Sequence, residues 1–190
     1  MDPTESPFSA PAPRARRALL YAGAAVLAAA AGAGVAWWRL RPAEVREDAL
    51  AAFWALEFDM PDGGHLVMAR LRGQMLLLNF WATWCPPCIE ELPLLNAFYR
   101  ENKLKGWQVL GLAVDKPAPV QAFLERQPLD FPVALAGVEG LALSRNLGNQ
   151  VGGLPFSVLI GTDGDILERK IGKLSADDLA AWARLGPAPR

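Results

Sequence analysis

The chain has 190 residues, about half of them hydrophobic and a fifth charged, with a formal net charge of −1. That is length for one ordinary domain and an appendage. The near-neutral balance argues against a nucleic-acid binder, which would show a basic patch or stripe, and the local basic residues sit near the N-terminus. Two cysteines, Cys85 and Cys88, are all the chain has. A disulfide scaffold needs more of them at wider spacing, and closing so small a loop removes little chain entropy. His65 is the only histidine, so four ligands for a structural zinc are not at hand. No metal site is expected, and the cysteine pair reads as redox chemistry that needs no further cofactor.

Residues 1–17 are expected to form a cytoplasmic tail, of which Met1–Pro13 is polar and Pro-rich and reads as disordered. Ala18–Trp38 is uncharged and rich in Ala, Leu, Val and Gly. As a helix it would reach about 31 Å, close to the thickness of a bilayer's hydrocarbon core. Arg14, Arg16 and Arg17 flank its start, and Trp37–Trp38 close it as an interfacial aromatic pair would. The expectation is a single-pass anchor in the inner (cytoplasmic) membrane, with the C-terminal domain on the periplasmic, extracytoplasmic side. Arg39 and Arg41 blunt the charge asymmetry. A cleaved signal peptide, cut near Gly34–Ala36, is the alternative. Both readings export the rest of the chain, a charged linker over 39–48 and a globular domain over 49–190.

Within that domain, Phe53–Phe58 and His65–Met68 flank Pro61-Asp62-Gly63-Gly64 and predict a hairpin. Met75–Trp81 is a nearly continuous apolar run, the pattern of a buried central strand. The spacing then predicts a helix over Pro86–Lys103, a strand over Val109–Val114, and a helix over Val120–Gln127. A short strand over Val133–Leu135 and a weak helix over Leu141–Leu147 come next. Phe156–Gly161 and Ile166–Ile171 form a second hairpin, and Asp177–Leu185 a closing helix with Ser175 as its N-cap. With the short strand and the weak helix set aside, the order β-α-β-α-β-β-α, with a hairpin before it, indicates an α/β fold with a central mixed sheet flanked by helices.

The chemistry concentrates in Phe80-Trp81-Ala82-Thr83-Trp84-Cys85-Pro86-Pro87-Cys88. This C-x-x-C lies at the exit of a buried strand and the mouth of a helix. There, unpaired backbone N–H groups and the positive end of the helix dipole are expected to favour a thiolate at Cys85. The thiolate is the species that attacks a disulfide. Cys88 lies about one turn on, close enough to attack the resulting mixed disulfide. Pro86 and Pro87 suit the first helical turn, where a missing N–H matters least.

These residues, with Asn79 before them and Glu90-Glu91-Leu92-Pro93 after them, resemble the thioredoxin superfamily, in particular its TlpA/ResA/DsbE-like branch of membrane-anchored proteins. The resemblance covers about Phe53–Leu185. It implies a thioredoxin-like fold with an N-terminal hairpin extension. It also implies thiol–disulfide oxidoreductase activity, with Cys85 as the exposed attacking thiol and Cys88 as the buried resolving one. Pro155 falls where the family has its cis-proline, which would lay the Leu154 backbone against the cysteines and offer hydrogen bonds to an extended substrate. Phe156 stands where threonine is often found. Asn79 occupies the position of thioredoxin's buried aspartate, and an amide cannot accept its proton. Glu91, three residues after Cys88 on the same helical face, is the implied acid/base instead. Trp84 and Pro86, beside Cys85, join Leu154 and Pro155 as expected substrate contacts. Glu90 is expected at the surface, Trp81 in the core, Pro93 as a mid-helix kink, and His65 exposed and without a catalytic role. Asn149 and Gln150 are candidates to line the groove.

The same resemblance implies disulfide-containing exported proteins as substrates, in cytochrome c maturation or oxidase assembly. It implies electrons supplied by a membrane thiol donor of the DsbD/CcdA type. A periplasmic thiol oxidase or isomerase would use the same two sulfurs, so the direction stays open. Paired thiolates also suit Cu(I), as in a copper-binding assembly chaperone. Such Sco-like proteins have a wider cysteine spacing and a distal histidine. A peroxiredoxin pattern does not fit around Thr83.

Overall fold

A computed structural model of the chain describes residues 47–186, together with Gly32. The tail, the expected membrane anchor over 18–38 and most of the linker lie outside the described residues. Among the described residues no helix is long and apolar enough to cross a membrane.

Helix α1 (Glu47–Trp54) leads into strands β1 (Glu57–Asp59) and β2 (His65–Val67), and a 3-10 turn covers Met68–Leu71. Next come β3 (Met75–Trp81), α2 (Pro86–Asn102), β4 (Trp107–Ala113), α3 (Pro117–Arg126) and β5 (Val133–Leu135). The chain closes with α4 (Gly140–Asn146), β6 (Phe156–Ile160), β7 (Ile166–Ile171) and α5 (Ala176–Ala183). Among the described residues, the seven strands form one sheet in the order β2-β1-β5-β4-β3-β6-β7. β3, β4 and β5 run parallel, and the remaining pairings are antiparallel.

One expectation is corrected. Phe53 and Trp54 belong to a helix, not to the first hairpin strand, which is only Glu57–Asp59. The run Glu-Asp-Ala-Leu-Ala-Ala that precedes them contains mostly good helix formers. The helix carries both rings into the core, where they meet edge to face at 5.1 Å. The hairpin itself is present. Gly63 adopts φ +87, which a side chain disfavours, and the Gly64 N–H donates to Asp62 Oδ1 at 3.0 Å. Ser175 caps α5 as expected: its hydroxyl accepts from the Asp178 N–H, and Asp178 Oδ2 accepts from the Ser175 N–H.

Every residue of β3 is buried, because helices cover both faces of the sheet. Strand alternation splits the core in two. Leu77 and Trp81 face Cys88, Leu92 and Leu95 of α2, along with residues of α3 and α5. Leu76, Leu78 and Phe80 face the opposite way, toward Phe53 of α1 and Phe156, Val158 and Ile160 of β6. Asn79, odd-numbered like Leu77 and Trp81, is therefore the polar residue that β3 turns toward α2. The parallel strands all deliver their carboxyl ends to one edge, where ligands of open α/β sheets bind.

Candidate active site

At that edge β3 ends in Trp81, and Ala82–Trp84 turn the chain into α2. The turn is clasped from the neighbouring strand. Asp115, two residues past the end of β4, accepts from the Thr83 N–H at 3.0 Å and the Thr83 hydroxyl at 2.5 Å through Oδ2. Its Oδ1 accepts from the Lys116 N–H at 2.7 Å. Sequence reasoning missed this clasp. The available signal was an aspartate just beyond the carboxyl end of a buried strand, the position where α/β proteins build their sites.

Cys85 is the N-cap of α2 and is joined to Cys88 in a disulfide, with the Cα atoms 5.3 Å apart. Cys88 is wholly buried and Cys85 keeps 4% of its surface. The attacking sulfur is thus less open than the exposed thiol expected, because in the oxidised state it is packed within the α2 core. It remains the more accessible of the two residues. The expected unpaired N–H groups are also largely missing. Pro86 and Pro87 have none, and the Cys88 and Ile89 N–H groups both donate to the Cys85 carbonyl, at 3.0 and 3.2 Å. Among the described residues the Cys85 side chain receives no capping bond. Only the helix dipole survives from the stabilisation foreseen.

The Leu154–Pro155 bond is cis. Phe156 pairs with Phe80 in the β3–β6 register, which sets Pro155 beside the end of β3 and the cysteine turn. Leu154 is half-buried and packs against the core cluster that holds both cysteines. Phe156 points into the other core and stacks obliquely on Phe80 at 5.8 Å, so its departure from threonine is absorbed away from the sulfurs. Pro86 is exposed and Trp84 is 63% exposed. Trp84 borders a surface groove of about 510 Å³ with Asp115, Pro117, Val138 and Leu141.

Glu91 is buried, only 1% exposed, and both carboxylate oxygens are bonded. Oε1 accepts from Asn79 Nδ2 at 2.7 Å, and Oε2 accepts from the Leu174 N–H at 2.6 Å. Burial pushes its pKa from 4.5 up to about 7. The two hydrogen bonds and the charge of Lys173 pull the other way, and they lose. Asn79 in turn donates to Ser157 Oγ at 2.9 Å, tying β6 into the network. Ser157 was not foreseen, since nothing in a strand's own pattern shows what lies across the sheet.

Gly172, Lys173 and Leu174, between β7 and α5, join these parts. The Gly172 N–H donates to the Pro155 carbonyl at 2.8 Å, Lys173 pairs with Glu90 at 2.8 Å, and the Leu174 N–H holds Glu91. Glu90 is exposed as expected, Trp81 is fully buried, and Pro93 lies inside α2. His65 is exposed and pairs with Asp59 at 2.8 Å on the edge hairpin, four strands from β3. Asn149 does not line a groove. It is buried, donates to the Gly153 carbonyl and accepts from the Gly152 N–H, and so shapes the loop that leads to Pro155. Gln150 is exposed.

A disulfide at a helix mouth, a cis-proline immediately before the adjacent strand and a buried carboxyl three residues after the second cysteine define a thioredoxin-like thiol–disulfide oxidoreductase. Residues 55–182 match the Redoxin family, and the chain belongs to it. It is similar to the thiol-disulfide oxidoreductase ResA of Bacillus anthracis, 35% identical over 124 residues, which span 65% of this chain and 69% of that one. The ResA of Halalkalibacterium halodurans is 32% identical over 133 residues, 68% of this chain and 73% of its own. Among solved structures, a putative thiol:disulfide interchange protein DsbE from Chlorobium tepidum superposes with a TM-score of 0.59 at 31% identity, over 69% of this chain and 92% of that one. StoA from Bacillus subtilis does so with 0.55 at 27%, over 68% and 97%.

Proposed function

We propose that this oxidoreductase works as a reductase of disulfides in exported proteins, tethered to the outer face of the inner membrane by residues 18–38. The Cys85 thiolate attacks one sulfur of a substrate disulfide and expels the other as a thiolate. Cys88, its proton passed to Glu91, then attacks Cys85 in the mixed disulfide. The substrate leaves as a dithiol, its two thiolates taking up the proton held by Glu91 and one from solvent, and the Cys85–Cys88 bond remains, two electrons having moved. A membrane thiol donor of the DsbD/CcdA kind resets the pair, and apocytochrome c or an oxidase assembly factor is the substrate. The cysteine pair is itself the redox group, with no other cofactor. Trp84, Pro86 and the Leu154–Pro155 backbone receive the substrate chain beside Cys85.

One observation carries the direction. A strong oxidant owes its potential to a stabilised reduced thiolate. Here the donors that would stabilise it are either removed by Pro86 and Pro87 or bound to the Cys85 carbonyl. The reduced pair therefore gains little, and the couple lies toward the reducing end. Equilibration with glutathione or dithiothreitol tests this. A potential well below about −200 mV supports the reductase, and one near about −120 mV overturns it.

A further inference from the structure

Asn79 faces a carboxyl that must gain and lose a proton. Its amide nitrogen donates to both Glu91 Oε1 and Ser157 Oγ, while its oxygen Oδ1 is buried with no hydrogen-bond partner among the described residues. This suits an ionised Glu91, which only accepts. It does not suit the acid form. A proton on Oε1 would point at the amide N–H, setting two donors face to face. Oε2 is no better placed to take the proton, because the Leu174 N–H 2.6 Å away belongs to the backbone and cannot turn aside.

An amide presents donors on one corner and an acceptor on the other. Half a turn about its last side-chain bond would bring Oδ1 to the place now held by Nδ2. There it would accept from the Glu91 Oε1–H. It would also accept from the Ser157 hydroxyl, which donates as readily as it accepts. Two bonds are made in either orientation, and one amide corner is left over in each.

We propose that Asn79 is a positioning residue that turns its amide over when Glu91 takes up or releases a proton, giving the carboxyl a matched partner in both states. One proton binds or leaves Glu91 Oε1, and no covalent bond other than that O–H changes. The charged group facing Glu91 is Lys173 from the β7–α5 connection, and Lys173 pairs with the exposed Glu90. β3 and β6 present only the neutral Asn79 and Ser157, and the disulfide-bonded cysteines do not titrate. The turning amide thus follows Glu91 alone. The inference rests on the reading of Glu91 as the proton acceptor.

The test follows the Asn79 side-chain amide by NMR between pH 5 and 9, in the full oxidised chain in detergent micelles with asparagine labelled with nitrogen-15. Both amide protons are hydrogen-bonded at high pH and should move upfield together as the pH falls. Their midpoint should equal that of the Glu91 carboxyl carbon. Glu91→Gln, whose amide donates as the protonated acid would, should hold the signals at their low-pH positions throughout. Asn79 signals that stay put while Glu91 titrates overturn the proposal. So do high-pH positions in Glu91→Gln, or no Glu91 titration in that range. The acid/base reading fails separately, if Glu91→Gln leaves the pH profile of thiol alkylation unchanged.

Discussion

Replacing Glu91 with glutamine keeps the shape of the buried side chain and removes its charge, so the variant isolates the energetic consequence of burying a carboxyl. Glu91 has its pKa raised from 4.5 to about 7 in the folded protein, chiefly by loss of water. The sign comes from linkage. Below about pH 4.5 the group is protonated in both the folded and unfolded chain, and its contribution to stability is fully present. As the pH rises toward 7 the unfolded chain ionises first, and stability is lost until the folded form ionises as well. The difference between 4.5 and about 7 corresponds to a loss of about 3 kcal/mol by pH 8. Glu91→Gln has no such titration. Its stability relative to the natural protein should therefore rise by about 3 kcal/mol between pH 4 and pH 8, all other titrations being shared and cancelling. Urea denaturation of the two oxidised proteins at four or five pH values measures this through the midpoint, at constant slope. A difference that is flat with pH, or that falls, would refute the account of Glu91 as a desolvated acid.

Three further outcomes are expected. Lys173→Met removes a charge that lowers the Glu91 pKa, so the midpoint seen in thiol alkylation should rise. Because Lys173 is exposed, high salt should move the natural protein the same way. Pro87→Ala restores an N–H at the second helical position, where a cap side chain finds its donor. Alkylation of reduced Cys85 at pH 7 should then quicken by up to about tenfold, the effect of one charge-assisted bond of about 1.4 kcal/mol. An unchanged rate would show that the helix mouth does not limit thiolate formation. Ser175→Ala breaks the capping box of α5 and should lower stability by about 1 kcal/mol in urea titration, with little effect on disulfide exchange.

Much of this was legible in the sequence because the signals are local. The unbroken apolar run of Met75–Trp81 announces a strand covered on both faces. Two prolines after Cys85 announce a helix start, and three-residue spacing puts Glu91 on the face of Cys88. The first hairpin strand was misread because aromatic residues suit a strand, while the Ala-rich turn before them settled Phe53 and Trp54 into α1.

What the sequence determined by itself is the pair of sulfurs, the strand and helix that carry them, and the class of chemistry they perform. All of that is written within residues 75–102, where backbone propensity and side-chain period act directly. Only the tertiary structure decided how that chemistry is tuned. Glu91 is anchored by Leu174, 83 positions away, and Asn79 by Ser157, 78 positions away, while Asp115 clasps Thr83 across 32. Such pairings arise when the sheet sets its register and the β7–α5 connection crosses the helix mouth. The proton affinity of Glu91 depends on how much water that packing excludes, a property no single segment possesses.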